Sequence, residues 1–460
     1  MEYKLRNDKT EAAYYSFVKF IFLSLTFFCI IGAYTVVREI KDSIFAFVIG
    51  REYIPFAKLI TLIAFIPCIL LYSKLVDNMR RYYVLCFYSF LYAALMLVFA
   101  FFVAHPSIGI LNTNATPYRW FGWLLYLFIE GYSPFVVSVF WAFANSISSP
   151  DEAKQNYGFV VAASKVGGML TSAFAWFLLT KKNHDGALFF SDVFNHQLLL
   201  LTASVLLFIV VGLILALMRY VPGHFLHGYE VVYQLQKKKG LEKTSGVFSG
   251  LVLLAQYPYV LGIFGMVYFY EVVTTVLSYL RVGIAKAQAT TISDATGFLF
   301  QIIFFTHLVG LVISLVGTRS LLYRFGTKTC LLFIPLVSGF ALMFFMFFQD
   351  SGRGLVVAFI ILKAMNYAFS WPVRESLYIP TIKEIKFKSK SWIDAFGSKF
   401  AKTTGSAFNL FASHITMFSA YTVHGLFFTS VVMLWFVTAY LLGRRFETAI
   451  KRKEAIGASS

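Results

Sequence analysis

The sequence predicts an all-α polytopic membrane protein, with twelve transmembrane helices in two six-helix halves, and three observations carry that prediction. Of 460 residues, 59% are hydrophobic and 13% charged. That is more apolar surface than a soluble domain can cover with its polar residues, and a composition that lipid accepts. A window of about 20 residues, the length needed to cross the hydrocarbon core as a helix, finds twelve apolar runs. Lys and Arg crowd alternate connections between those runs, as the positive-inside rule requires of an even number of spans.

The runs fall near residues 15–48, 54–76, 82–104, 120–146, 157–180, 196–219, 258–280, 292–318, 328–348, 353–373, 395–419 and 423–443. The first, from about Tyr15 to Val37, is longer than a signal-peptide core and lacks a small-residue cleavage site, so the N-terminus is expected to stay on. The apolar segment 247–257 is short and ends against Pro258, which disfavours helix in the residue before it; an interfacial helix leading into the seventh span is expected there. With the N-terminus in the cytoplasm, the inner connections hold about three times the Lys and Arg of the outer ones, which puts both termini inside. The expected location is the cell inner membrane, as a multi-pass protein.

The net charge of +18 follows from that topology. Basic connections attract anionic headgroups, so membrane lipid is an expected partner and nucleic acid is not. Cys29, Cys68, Cys86 and Cys330 lie in or beside apolar runs without ligand spacing and read as packing residues. His307 and His414 are lone histidines on apolar helices, and no metal spacing or Gly-rich phosphate loop appears. No metal, no cofactor and no catalytic constellation is expected, which argues against a membrane enzyme.

The longest polar stretch, 220–247, contains KKKGLEK and separates a half at 1–219 from a half at 248–460 that ends in a cytoplasmic tail. Six spans, a basic linker and six spans is the layout of the major facilitator architecture, in which two halves rock about a site at mid-membrane. Displaced by 234 positions, the chain matches itself: Ser164-Lys165 falls on Ser398-Lys399, Ser172-Ala173-Phe174 on Ser406-Ala407-Phe408, and Lys154 on Lys388. The matches cluster at the start of the fifth and eleventh spans, where equivalent helices of two halves belong.

Charges inside apolar runs carry the functional reading, because a charge at membrane depth is expensive and marks a watery path. The first span runs into REIKDSIF, which sets Arg38, Lys41 and Asp42 on one helical face. A pair of Arg38 with Asp42 at a helix end is the structural alternative, but the apolar run resumes through Phe47 to Gly50. Glu130 lies within the fourth span and Glu271 within the seventh; each needs a proton or a cationic partner. Lys165, Lys363, Lys399 and Lys402 are further cations in apolar runs. From Arg374 to Phe408, basic residues alternate with apolar ones, with Lys386 in the loop and Asp394 at its entry to the eleventh span. This strip attracts an anion from the cytoplasm. So many cations point to a transporter of an anion, whereas a carrier of drugs or peptides holds fewer cations and more acids.

Several stretches together are more particular: KDSIFAFVIGREYIPFAKL, then FWAFANSISSPDEAKQNYG closing the fourth span, then Glu271, then YIPTIKEIKFKSKSWIDAFGSKFAK. In that order they resemble the nucleotide (ADP/ATP) translocases of the plastid and intracellular-bacterial type, twelve-span carriers of the major facilitator superfamily. The resemblance implies exchange of ATP for ADP, with transport roles for Lys41, Glu130, Glu271 and Lys386; Asn145, which ends FWAFAN, is counted with them as substrate-binding. The chain departs from the family where VVTTVLSYLR follows Glu271 and the next cation is Arg281, at AKTTG, and at Lys165. A proton-coupled nucleotide importer and a carrier of another organic anion are the alternatives. A nucleotide's three or four negative charges match Arg38, Lys41, Lys165, Lys399 and Lys402, in a low dielectric that strengthens each contact. Tyr34, Tyr132, Trp141 or Tyr270 are the aromatics considered for the base. Glu130 and Glu271 are expected to pair with the cations between substrates, and the protein to act as a monomer.

Overall fold

The computed structural model describes residues 2–148, 150–183, 188–226, 249–316, 318–348, 352–382, 385, 389–415 and 419–457. Most of the linker at 220–247, and Lys386, lie outside them. The described residues are almost wholly helical and include no strand beyond two isolated bridges, as lipid demands of backbone groups that have no water to bond.

The helices are α1 (Glu2–Phe45), α2 (Ile54–Asn78), α3 (Arg81–Val103), α4 (Trp120–Glu130), α5 (Ser138–Ile147), α6 (Pro150–Thr180), α7 (Asp192–Tyr220), α8 (Ser249–Gln256), α9 (Pro258–Gln288), α10 (Ile292–Val316), α11 (Thr318–Phe347), α12 (Arg353–Met365), α13 (Trp371–Ser376), α14 (Lys390–Trp392), α15 (Ser398–His414) and α16 (Ala420–Arg452). Ten continuous stretches among the described residues are long and apolar enough to cross a membrane. The first, Ala13–Cys68, holds two of the expected spans. They are separated at Gly50, whose φ of 127° only a residue without a Cβ adopts comfortably. The expected eleventh span is α15, which buries Ala401, Gly405, Ser406 and Asn409 along one side and is too polar to be counted among the ten. The segment expected as an interfacial helix is α8.

Besides π segments at Ala46–Gly50 and Ile393–Gly397, at the end of the first span and the start of the eleventh, two spans are interrupted in mid-course. The fourth is α4 and α5 joined by a wide π turn at Ser133–Val137; the tenth is α12 and α13 joined by another at Asn366–Ser370. Pro134 lies inside the first of these turns, where its missing N–H is tolerated. Such turns are often found at functional positions, because they re-aim the side chains around them.

The chain forms two compact units. One comprises Met1–Gly50, Ala64–Lys243 and Ala289–Phe304; the other Arg51–Ile63, Thr244–Gln288 and Phe305–Ser460. Residues 51–63 and 289–304 thus pack outside the half that the six-plus-six division gives them. In the first unit α1 is central, packed on α6, α7 and α4, while α3 lies against α7. In the second, α9 packs on α15, α16 and α12, and α11 on α16 and α12. The first helix of each half therefore meets the fifth, as the internal repeat anticipates. Ser172 Oγ donates to the Gly168 carbonyl at 2.7 Å and Ser406 Oγ to the Lys402 carbonyl at 2.8 Å, so these matched serines make the same bond within their helices.

Small residues set how closely these helices approach. A Cβ at Gly167 of α6 would run into the Phe28 carbonyl oxygen of α1, and one at Gly405 of α15 would stand 2.8 Å from the Val272 carbonyl oxygen of α9. Close backbone approach is the main source of helix association in lipid, where no hydrophobic drive remains.

Candidate functional site

α1 continues without a break through its charged segment, so Arg38, Glu39, Lys41 and Asp42 lie inside the helix and not at its end. Lys41 is 3% exposed. Its ammonium lies 3.1 Å from Asp42 Oδ1, donates to Glu130 Oε1 at the end of α4, and stands 4.2 Å from the centroid of the Tyr126 ring. Two carboxylates and a π face thus answer one buried charge, which no apolar helix would otherwise accept. Arg38 meets its sequence neighbour Glu39. Arg38 Nε donates to Glu39 Oε1 at 2.8 Å, Nη2 lies 2.7 Å from the same oxygen, and the guanidinium faces the Tyr34 ring at 5.7 Å.

In the second unit Glu271 plays the converse part. It sits on α9, accepts from Ser398 Oγ of α15 at 3.2 Å, and lies in the field of Lys402, Lys363 and Arg374. Lys402 is on α15, Lys363 on α12 and Arg374 on α13, so with α9 four helices contribute to one charge group. Lys399 is three residues before Lys402, hence on a neighbouring face of the same helix. Lys363 also stands 5.4 Å from the Tyr270 ring.

The other expected residues lie at varying distances from these groups. Gly32 faces Thr171 and Gly167 lies against Phe28, so α1 and α6 run parallel in fixed register. That register sets Lys165, 8% exposed, level with Thr26; at 1.5 Å rise per residue it is about 20 Å along the bundle from Lys41. Asn145 accepts from the Tyr157 hydroxyl at 2.8 Å. Asp394 lies in the field of Arg374 and Lys390, and Lys390 Nζ donates to Glu375 at 2.7 Å. Of the aromatics considered for a base, Tyr132 is fully buried and stacks on Tyr34, ring centroids 5.3 Å apart. Its hydroxyl donates to the Ile30 carbonyl at 2.8 Å. Tyr270 is buried too. Tyr34 and Trp141 are partly open. No group of three or more His, Cys, Asp or Glu placed to hold a metal occurs among the described residues.

Two features escaped the sequence reading. Lys19, 1% exposed, donates to both oxygens of Glu152, at 2.9 and 3.0 Å, and to the Ile147 carbonyl at 3.1 Å. Its place in the apolar run 15–48 was the available signal. Tyr126, under the Lys41 ammonium, had none, since nothing in the sequence distinguishes it from 26 other tyrosines.

The sequence pattern of the TLC ATP/ADP transporter family matches residues 4–446. The chain belongs to that family. Among relatives of this TLC chain, ADP,ATP carrier protein 1 of Chlamydia pneumoniae is 25% identical, the match covering 98% of this chain and 96% of the relative. ADP,ATP carrier protein 4 of Rickettsia bellii is also 25% identical, with 94% and 91% covered. Among solved structures, the D-xylose-proton symporter superposes with a TM-score of 0.63 at 14% identity, covering 93% of this chain and 97% of its own. The nucleoside transporter NupG gives 0.52 at 12% identity, covering 94% and 98%. At such identities the likeness speaks for the fold alone, which is that of major facilitator transporters. As a member of the TLC family the chain is a multi-pass membrane transporter and not an enzyme.

Proposed function

We propose that this chain exchanges ATP for ADP across the cell inner membrane by alternating access, as a monomer with both termini cytoplasmic. Lys41 with Arg38, and Lys402 with Lys399, hold phosphate oxygens. Glu130 and Glu271 compete with the phosphates for those ammonium groups. The observation that supports this most strongly is the triple arrangement at Lys41: a buried cation, two carboxylates and an aromatic face in a chain of an ATP/ADP transporter family. A cation held by protein carboxylates is already desolvated and oriented, and a phosphate that displaces Glu130 meets a donor needing little further organisation.

Exchange follows from the same electrostatics. A buried cation released by its substrate must regain an anion before the carrier reorients. Glu130 and Glu271 supply that anion slowly, and an incoming nucleotide supplies it better, so turnover is fastest when one nucleotide replaces another. The basic segment around Lys386 collects the anion at the cytoplasmic surface.

The test is uptake of labelled ATP into proteoliposomes preloaded with ADP or left without nucleotide. Uptake is expected to depend on internal ADP, and Lys41→Ala to abolish it while leaving insertion intact. Full activity in Lys41→Ala, or uptake indifferent to the internal nucleotide, contradicts the reading.

A further inference from the structure

The second unit carries a furrow that nucleotide exchange does not use. α9 and α16 lie close together: a Cβ at Gly262 would stand 3.1 Å from Leu442 Cδ1, and one at Gly265 3.0 Å from Thr438 Cγ2. Glycine removes the side chain along this line, so the residues beside it stand proud and leave a groove of about 580 Å³. α9 contributes Leu261, Phe264 and Tyr268 to it, α15 Phe400 and α16 Leu441. Leu441 belongs, with Leu434 and Val437, to an exposed apolar stripe of α16, and Leu261 and Phe400 are exposed as well. On a membrane-spanning chain such a stripe faces lipid, so the groove opens onto hydrocarbon.

The groove has a length and a charged end. It runs from Pro258, where α9 begins, to Tyr268; those ten residues rise about 15 Å, half the hydrocarbon thickness of about 30 Å. That is the depth of one leaflet. Gly262 opposes Leu442 and Gly265 opposes Thr438, so α9 and α16 run antiparallel, and Arg445, three residues beyond Leu442, comes level with the start of α9. Arg445 is the one charged side chain among the described residues that line the groove. Its Nη1 donates to Glu454 Oε2 at 3.0 Å and its Nη2 to Oε1. Both side chains are largely open to solvent, and such a pair contributes little to stability. It does show the guanidinium fork presented in the bidentate geometry that a phosphate accepts. Residues 444–454 hold five Lys or Arg against Glu447 and Glu454, so this end of α16 is electropositive. A second groove on α16, of about 500 Å³, runs between Leu336 and Phe340 of α11 and Met433 of α16 and has no charged residue along it. Either groove suits a hydrocarbon chain; the first alone of these two ends on a cation.

We propose that the groove between α9, α15 and α16 is a binding site for an anionic phospholipid, with an acyl chain lying along Gly262 and Gly265 and the headgroup phosphate on Arg445 in place of Glu454. The site involves none of the residues assigned to the nucleotide. In lipid no hydrophobic drive seats the chain; it is held by van der Waals contact in a furrow that the helices leave unfilled. Charge then selects the headgroup. An anionic lipid gains from the whole basic end of α16, whereas a zwitterionic one brings its own ammonium beside the phosphate and gains less.

The test is native mass spectrometry of the purified full-length chain, delipidated in detergent and titrated with phosphatidylglycerol or with phosphatidylcholine of the same acyl chains, with melting temperature followed in parallel. Phosphatidylglycerol is expected to bind about tenfold more tightly, the gain of one charge-assisted hydrogen bond. Arg445→Gln is expected to remove that preference. Leu441→Trp, which fills the groove with a larger ring, is expected to weaken both lipids, and Glu454→Gln, which removes the competing acid, to tighten phosphatidylglycerol about threefold. Leu336→Trp, in the second groove, is expected to leave the preference as it is. Leu261, Leu441 and Arg445 are exposed; should Leu441→Trp lower the melting temperature of the lipid-free protein, Leu261→Trp on α9 decides. Equal binding of the two lipids, a preference that survives Arg445→Gln, or binding unchanged when the groove is filled overturns the proposal. So does a dimer that Leu441→Trp dissolves, which would give the groove to a second copy of the chain. Stabilisation by inorganic phosphate equal to that by phosphatidylglycerol also overturns it, since a free anion would then suffice.

Discussion

Lys41 in the first unit and Arg281 in the second are both buried and both stand over an aromatic ring, and one turn beyond each ring on its own helix a charged residue precedes a π turn by three positions. Only the sign of that residue differs, Glu130 against Lys363. The difference separates two ways of keeping a cation in an apolar bundle. At Lys41 the protein supplies the counter-charge and the group holds together by itself, because the Coulomb gain at short range offsets desolvation of both partners. In the second unit Glu271 lies in the field of Lys402, Lys363 and Arg374 together. The first arrangement gathers two acids at one cation, the second several cations around one acid.

That comparison is broken most forcefully by reversing the sign at Lys41. Lys41→Glu sets a third carboxylate against Asp42 and Glu130, and leaving buried charge uncompensated costs about 3–5 kcal/mol. Loss of ATP uptake and a steep drop in melting temperature are expected. Adding Glu130→Lys is expected to recover most of the melting temperature, measured by thermal unfolding in detergent. An additive double mutant would show that the two side chains do not sense each other.

The next effect is of opposite sign for binding and turnover. Glu271→Gln removes the acid that competes with phosphate for Lys402 and Lys363, so ATP is expected to bind about three- to tenfold tighter while exchange slows, because binding energy shared by all states raises no rate. Binding unchanged in that variant would show that Glu271 does not guard these ammonium groups. Below this lie the packing glycines. Gly167→Ala forces the Phe28 backbone of α1 away from α6 and Gly405→Ala does the same to Val272 of α9 less severely. Overpacking costs about 1–3 kcal/mol, and the larger drop in melting temperature is expected at Gly167. The smallest effect is expected of Tyr126→Phe. The second unit already places Phe359 at this position, and a ring face worth about 0.5–2 kcal/mol to a cation is kept. Uptake within about twofold of wild type checks it.

The fold was legible because hydropathy and length act locally: each apolar run of sufficient length becomes a helix regardless of its neighbours. What was missed came from interruptions that hydropathy does not register. The π turns at Ser133–Val137 and Asn366–Ser370 keep the run apolar while changing the register of every side chain beyond them. The reach of residues 51–63 and 289–304 out of their expected half is tertiary packing, to which a window of 20 residues is blind.

The candidate site was legible one charge at a time. Lys41, Glu130, Glu271 and Lys402 stand out because each is expensive in an apolar run, and the expectation that acids pair with cations names the interaction that Lys41 and Glu130 make. Which acid meets which cation depends on side-chain reach and on how helices pack: Arg38 meets its neighbour Glu39, while Lys41 meets Asp42 and, across to α4, Glu130. Lys165 fails to join Lys41 for the same reason, since the register set by Gly32 and Gly167 carries it about four turns away at 3.6 residues per turn. Tyr126 and Phe359 were hidden by abundance among 53 Phe and 27 Tyr. The equivalence of Arg281 with Lys41 was hidden because α1 and α9 do not share the displacement that relates the fifth and eleventh spans.

The central claim is that the cargo is held by its phosphates, at cations that protein carboxylates otherwise occupy. The most direct measurement is a series of dissociation constants for ATP, ADP, AMP and adenosine on the purified chain. Affinity is expected to fall about tenfold for each phosphate removed, near 1.4 kcal/mol per step, with Lys41→Gln flattening the series. Adenosine binding as tightly as ATP would contradict the account.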